Sequence, residues 1–406
     1  MPYTVIDLFS GGGGMSYGFH AHSDFEIVSA FDAQIGKPSS GKGSLQCNQT
    51  YSANMGFEPF EVDLAEISEK ELKKLVKSRL GNKELDVMIS CAPCTGFSRA
   101  KASNHLLDDP RNSLVKRSAD FAVTLKPKIF VMENARELLQ GNFTEHFFYL
   151  KKRLEAAGYR LNYSTHFLSD FGLPQKRERA LIIATTKNYE PFGLEDLWKG
   201  HEVRREAITV RRAISSLPDL VAGEKNVDDV CHSSPSLKEE SLNRMKRIPA
   251  DGGSWIDLLS IRNGKNYLIP SMLRSVEQGK LGSYPDVYGR MKWDFPAATI
   301  KRECAHVGNG RYSHPEQHRL CSVREMGLLQ GFPQHYQFKS GSLANMYRHI
   351  GDAVPPLISF QIANICSWIF TNEKPDLDQC ILEGCSLEAE DIIKTKESSE
   401  QLSLAV

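Results

Sequence analysis

No stretch of the 406-residue chain approaches twenty consecutive apolar residues, so the sequence predicts no membrane span. The opening residues, Met1-Pro2-Tyr3-Thr4-Val5-Ile6-Asp7, have neither a basic region nor a cleavable apolar segment and read at once as a strand. That argues against secretion and for a cytoplasmic protein. Net charge is also missing, since 50 basic residues balance 50 acidic ones. The distribution is uneven, however. Residues 373–406 hold nine acidic and three basic residues, which leaves 47 basic against 41 acidic in the body. A basic body with a short acidic tail is compatible with a polyanionic partner. No internal repeat is present. The nine cysteines are odd in number and scattered, which suits a reducing compartment better than a disulfide framework.

Hydrophobic residues make up 41% of the chain and charged residues 25%, ordinary globular values in a chain long enough for two domains. Up to about residue 190, strand-like segments (4–9, 25–31, 85–90, 128–132, 163–168, 180–185) alternate with helical periodicity at 70–80, 113–125 and 145–157. Ser113 reads as an N-cap and Gly158 as a C-cap signal. Such alternation implies an α/β domain with a mostly parallel sheet and helices on both faces. From 194 to about 319 periodicity fades and turn signals multiply, as in a second, irregular domain. Helical signal returns at 323–329 and 357–370, so residues 345–372 complete the first domain and 320–344 form a return segment. The tail 373–406 reads as mobile, with at most one short helix around 387–393.

Four stretches carry chemistry. Asp7-Leu8-Phe9-Ser10-Gly11-Gly12-Gly13-Gly14 takes a strand through four glycines toward a helix, which exposes backbone N–H groups to a ligand. Asp32 follows at the distance of an acid that binds a ribose hydroxyl, and a nucleoside without a pyrophosphate fits better than a dinucleotide. A tight turn with no ligand is the alternative. Cys91-Ala92-Pro93-Cys94 ends an apolar strand, so Cys94 projects from a loop on the ligand side of the sheet as a candidate nucleophile. Half a zinc site, a redox pair and a structural thiol compete with that role, but no second cysteine pair stands at metal spacing. Glu133-Asn134-Ala135 also follows a strand, where the acid is either functional or a helix-start charge. In Gln175-Lys176-Arg177-Glu178-Arg179, alternation puts Gln175, Arg177 and Arg179 on one face, suited to a phosphate or carbonyl or else to a solvated edge. The Gly-Lys pairs within 35–46 lack the Ser/Thr of a phosphate loop, so that insertion reads as a flexible loop.

With Arg324-Glu325…Gln330-Gly331-Phe332-Pro333 and Gly351-Asp352-Ala353-Val354-Pro355 added in order, the chain from about 5 to 369 resembles the DNA (cytosine-5) methyltransferases. The resemblance implies a Rossmann-like S-adenosylmethionine-dependent domain with a smaller target-recognition region at about 194–319. It implies that the Cys94 thiolate adds to C6 of a cytosine flipped out of duplex DNA, which makes C5 nucleophilic toward the cofactor's methyl group. Glu133 would bind N3 and the exocyclic amine, Arg179 the O2 carbonyl, and Arg177 would support the site. Cofactor contacts carry over to Phe9, Ser10, Gly11, Gly13, Asp32, Asp63, Leu64, Pro93, Leu114, Asp352 and Ala353. Ser98, Arg99, Gln175 and Arg290 are expected at the DNA, with loops 251–255 and 288–293 as DNA-facing candidates that could equally be packed. Residues 96–108 would form a mobile loop closing over the base. Three positions depart from the family pattern: Thr95 for Gln, Ala135 for Val and Asp352 for Asn. The expectation is a monomeric, nucleoid-associated enzyme with no metal. It would be a modification methylase paired with a restriction endonuclease, or an orphan. An RNA methyltransferase on the same scaffold and a non-catalytic DNA-binding protein are the alternatives.

Overall fold

The structure is a computed structural model that describes residues 1–37, 42–93, 108–279 and 286–395. Its centre is a seven-stranded sheet. In chain order the strands are β1 (Tyr3–Leu8), β2 (Phe25–Asp32), the hairpin β3 (Ile35–Lys37) and β4 (Lys42–Ser44), β5 (Phe60–Glu61), β6 (Val87–Ser90), β7 (Ile129–Ala135), β8 (Tyr159–Phe167) and β9 (Glu178–Thr186). Across the sheet they run β5-β2-β1-β6-β7-β9-β8. The first five are parallel, and β9 is antiparallel to both of its neighbours. Strand order reverses between β1 and β6, so their carboxyl ends open a crevice where α/β sheets hold ligands.

Alternation along each strand divides the core into two layers. Val5, Val87, Ile89, Ile129, Val131 and Ile183 face one apolar cluster, and Ile6, Leu8, Met88, Phe130, Met132 and Ile182 face the other. The second layer is closed by helices Glu69–Leu80, Ser113–Leu125 and Glu145–Ala156, which supply Leu72, Val115, Phe121, Leu150 and Leu154. Helix α1 (Gly14–Ala21) and the long helix Pro356–Thr371 cover the first layer. These two touch backbone to backbone. A Cβ at Gly18 would lie 2.2 Å from the Phe360 nitrogen, and one at Gly14 would lie 2.4 Å from the Val354 carbonyl oxygen. Glycines four apart therefore let the C-terminal helix seat against the first motif.

Residues 194–319 contain short helices, among them Val210–Ile214, Glu239–Met245 and Pro270–Glu277. Their buried Trp255, Met272, Trp293 and Cys304 belong to the same cluster as the first face of the sheet, so no gap in the apolar core sets them apart. Glu325 anchors the return segment. It accepts both arms of the Arg319 guanidinium at 2.6 and 2.8 Å and caps its own helix through Ser322.

Several expectations change. Asn112, not Ser113, is the N-cap of its helix, because a 3-10 turn over Pro110–Asn112 leads in. Insertion 35–46 is a hairpin rather than a loop, with Ile35 opposite Ser44 and Lys37 opposite Lys42. The tail is packed through 395. Leu377, Cys380, Leu382 and Leu387 are buried, the expected short helix is a 3-10 turn at Ala389–Asp391, and Ile392–Lys394 (β11) pairs antiparallel with His201–Val203 (β10). The stretch Leu343–Thr371 meets the length and mean composition of a membrane span without being a continuous apolar run, and 78% of its most apolar window is buried as core.

Candidate functional site

A cavity of about 240 Å³ opens where the switch point predicts. Each parallel strand delivers side chains to it from its carboxyl end. β1 supplies Phe9 to Gly12, β2 supplies Asp32, β5 leads to Val62, Asp63 and Leu64, β6 to Cys91, Ala92 and Pro93, and β7 contributes Glu133. Leu114 comes from the first turn of its helix, and Asp352, Ala353 and Val354 come from the turn before the C-terminal helix.

Local geometry explains why this motif folds so tightly. Phe9 has a φ of 66°, a left-handed conformation seldom taken by a side-chain-bearing residue. The chain then turns back, and the Gly11 N–H donates to the Asp32 carboxylate at 2.9 Å, which locks the glycine turn to the end of β2. The other Asp32 oxygen accepts from the Gln34 N–H at 2.6 Å and lies 3.3 Å from the Cys47 thiol. A Cβ at Gly11 would meet nothing within 4 Å, so the backbone there lies open to the cavity. Gly13 does not line the cavity. Its Cβ would point toward Met55, Tyr51 and Tyr336, and its φ of 91° starts α1. Beneath the turn, Asp7 accepts from Ser16 at 2.6 Å. Complete burial pushes its carboxyl up to about 7, aided by the Asp32 charge and opposed by the Ser16 hydrogen bond.

Glu133 lies in β7, two residues before its end, and is nearly buried. Arg179 stands across the β7–β9 ladder beside Ala135, and its Nε lies 3.0 Å from Glu133 Oε1. The N–H is not aimed at that oxygen, so neither atom has a hydrogen-bond partner. Both keep their hydrogen-bonding capacity for a third group. Asn134, whose role the sequence left unstated, donates to the Ala92 carbonyl at 3.0 Å and so fixes the segment two residues before Cys94. Cys94, Ser98 and Arg99 lie outside the described residues.

The Gln-x-Arg-x-Arg stretch does not present one functional face. Gln175 is fully buried, donating to the Leu329 carbonyl and Gln330 and accepting from the Ile300 N–H. It braces the interior and is removed from the DNA contacts. Arg177 is also buried, and donates to the carbonyls of Ile300 at 3.2 Å and Ala353 at 3.0 Å while lining the cavity. Arg290 is a second correction. It is 1% exposed, and its guanidinium is spent on the carbonyls of Met245, Ile248, His314, Glu316 and Gln317 and on His318. Trp255 and Trp293 beside it are buried too, so their loops are packed. The cavity also takes Met15 and Arg111, which lie in the first motif and in the Asp109–Leu114 motif but are not among the expected contacts, and Arg302 and His349, which belong to no motif recognised in the sequence.

Solved structures share this architecture. The chain superposes with a TM-score of 0.61 and 22% identity on a DNA modification methyltransferase from an E. coli prophage, covering 91% of this chain and all of that one. Against the S. pombe Dnmt2 methyltransferase the TM-score is 0.58 at 18% identity, covering 90% and 99%. The fold is thus the one these two methyltransferases share. Sequence comparison narrows the class. The family model for C-5 cytosine-specific DNA methylase matches residues 3–368, and the chain belongs to that family. It is 32% identical to the Type II methylase M.HgiDII of Herpetosiphon aurantiacus over 89% of this chain and 94% of that one. It is 30% identical to the Type II methyltransferase M1.HphI of Haemophilus parahaemolyticus over 92% and 89%. The chain is therefore an enzyme, a DNA (cytosine-5) methyltransferase.

Proposed function

We propose that the chain methylates C5 of cytosine within a short duplex DNA sequence, on a base turned out of the stack, with Cys94 as nucleophile. The observation that carries this reading is the juxtaposition of Glu133 and Arg179, both with unspent hydrogen-bonding atoms, at the edge of a cavity whose wall includes Pro93, the residue before Cys94.

The cavity suits S-adenosylmethionine. Phe9, Leu64 and Leu114 give apolar walls, Asp32 and Asp63 offer acceptors, and the open backbone at Gly11 admits close approach. When bound, the cofactor supplies an electrophilic methyl group. The protein's own groups do the rest. The Cys94 thiolate adds to C6. Glu133 holds the N3 edge and Arg179 the O2 carbonyl, where negative charge develops on addition. Arg177 holds the cavity wall together by bridging Ile300 and Ala353. Sequence reading is assigned to 194–319; the overlapping stretch 201–330 is mildly basic in composition, with 20 basic and 16 acidic residues.

The Type II names of the relatives support a modification role, in which methylation shields a site from a cognate endonuclease. A host expressing the gene, sequenced after bisulfite treatment, should show full cytosine methylation at one short motif and none with Cys94→Ala. Methylation scattered without a motif would contradict sequence-specific modification. Transfer to RNA in place of duplex DNA would contradict the substrate.

A further inference from the structure

Arg302 stands apart among the residues around the cavity. It comes from the segment that the sequence assigns to DNA recognition, yet it lines the cofactor cavity. Its guanidinium reaches two separate pieces of chain. One nitrogen pairs with the Asp352 carboxylate, and another donates to the carbonyls of Gly36 at 2.8 Å and Ile35 at 3.3 Å. The backbone beneath is pressed close, since a Cβ at Gly351 would lie 2.3 Å from the Lys301 carbonyl oxygen.

The hairpin held by this fork has little of its own to keep it in place. Among the described residues β3 and β4 form a sheet of two strands that joins no other, and such ribbons are marginal alone in water. Ile35 lines the cavity while remaining 38% exposed, so little packing fixes it. Behind the hairpin, the Leu45 carbonyl accepts from His349 at 2.8 Å and the Ser44 carbonyl from Asn345 at 3.2 Å, so these side chains tie the β4 side while Arg302 ties β3.

We propose that Arg302 is a positioning residue for the cofactor: it clamps the β3–β4 hairpin to the Gly351-Asp352 turn and thereby completes the outer wall of the cavity. The inference rests on the reading of this cavity as the S-adenosylmethionine site. A planar fork is what the task requires, because a lysine ammonium retains a charge for Asp352 but lacks the geometry to serve the two carbonyls as well. Asp352 itself, in place of the family's usual Asn, gives the clamp its anionic end.

The test uses the full chain with Arg302→Ala, Arg302→Lys and Gly36→Ala. The last attacks the hairpin without touching a charge, since a Cβ there would lie 2.8 Å from the Gly43 carbonyl carbon. Titration with S-adenosylmethionine should show binding weakened about tenfold in Arg302→Ala and Gly36→Ala, and less in Arg302→Lys. The cofactor KM should rise in step, while kcat at saturating cofactor and the KM for DNA stay within twofold. Hydrogen exchange should quicken at 42–46 and stay slow in β1, β6 and β7. Unchanged cofactor binding in Arg302→Ala overturns the inference, and so does exchange that quickens throughout the sheet. If the unaltered chain fails to bind the cofactor, the reading of the cavity falls and this inference with it. Normal binding by both proteins removes only the clamp.

Discussion

Arg177 offers the sharpest contrast between a residue that touches the reacting base and one that holds the site together. Its side chain is 2% exposed and bridges two carbonyls, Ile300 within 194–319 and Ala353 on the cavity wall. Replacing it with Met removes both hydrogen bonds. Ala353 retains a donor, because Gln330 Nε2 reaches the same oxygen at 2.8 Å. Ile300 loses this donor, and stripping a buried carbonyl of its partner costs about 1–3 kcal/mol. Removing a buried cation relieves some desolvation, so the net loss should be about 2 kcal/mol, or roughly 2 °C in melting temperature for a chain of this length. The cavity wall loosens with it. Thermal unfolding and initial rates at varied cofactor should therefore show a lower melting temperature and a raised cofactor KM, with kcat reduced less than tenfold. A catalytic contact would give the reverse, because losing a donor aimed at developing charge costs about 10²–10³ in kcat. An unchanged melting temperature with a hundredfold loss of kcat would refute the bridging role.

Gly18→Ala should destabilise the chain by about 1–3 kcal/mol in urea unfolding, since the new methyl would lie 2.2 Å from the Phe360 nitrogen and both partners are backbone. A change within about 0.5 kcal/mol would mean the helices are not packed this closely. Asn134→Ala removes the donor to the Ala92 carbonyl, so kcat should fall about tenfold or more with the cofactor KM little changed. A cofactor KM effect alone would place Asn134 in the wrong half of the site. For Asp7, burial raises the carboxyl from 3.8 to about 7, so the folded state binds more protons than the unfolded state between those values. Stability contributed by this group is therefore lost as pH rises across that window, by at most about 1.4 kcal/mol per pH unit. Asp7→Asn should remove that slope, so that the variant gains on the parent chain from pH 5 to 7. Parallel stability curves would contradict it.

What the sequence disclosed and what it concealed divide by range. Val5, Ile6, Val87 and Met88 alternate faces within single strands, and the helix at 113–125 ends at Leu125, where local periodicity places it. The glycine turn and Asp32 were legible because their spacing is itself local. The reversal of β9 within the mostly parallel sheet follows from spacing alone. Only 168–177 separate β8 from β9, too few residues for the crossover that a parallel pair requires. Arg290 and Gln175 were out of reach, since the partners that bury them lie up to 155 residues away and are mostly backbone carbonyls, which carry no sequence signature. The tail misled for a related reason. Its acidic composition suggests mobility, while Leu387 packs against Gly172 and Cys385 donates to the Gly331 carbonyl.

The central proposal is that Cys94 attacks C6 of a cytosine in DNA while Glu133 and Arg179 hold the base's polar edge. It is tested most directly with duplex DNA carrying 5-fluorocytosine at the methylated position, where the C5 substituent cannot leave as a proton. Incubated with S-adenosylmethionine, the chain should form a covalent complex that survives denaturing electrophoresis, carries the labelled methyl group and maps by peptide analysis to Cys94. Cys94→Ser should form none. A complex that maps to Cys91, or methyl transfer that persists in Cys94→Ser, would contradict the account.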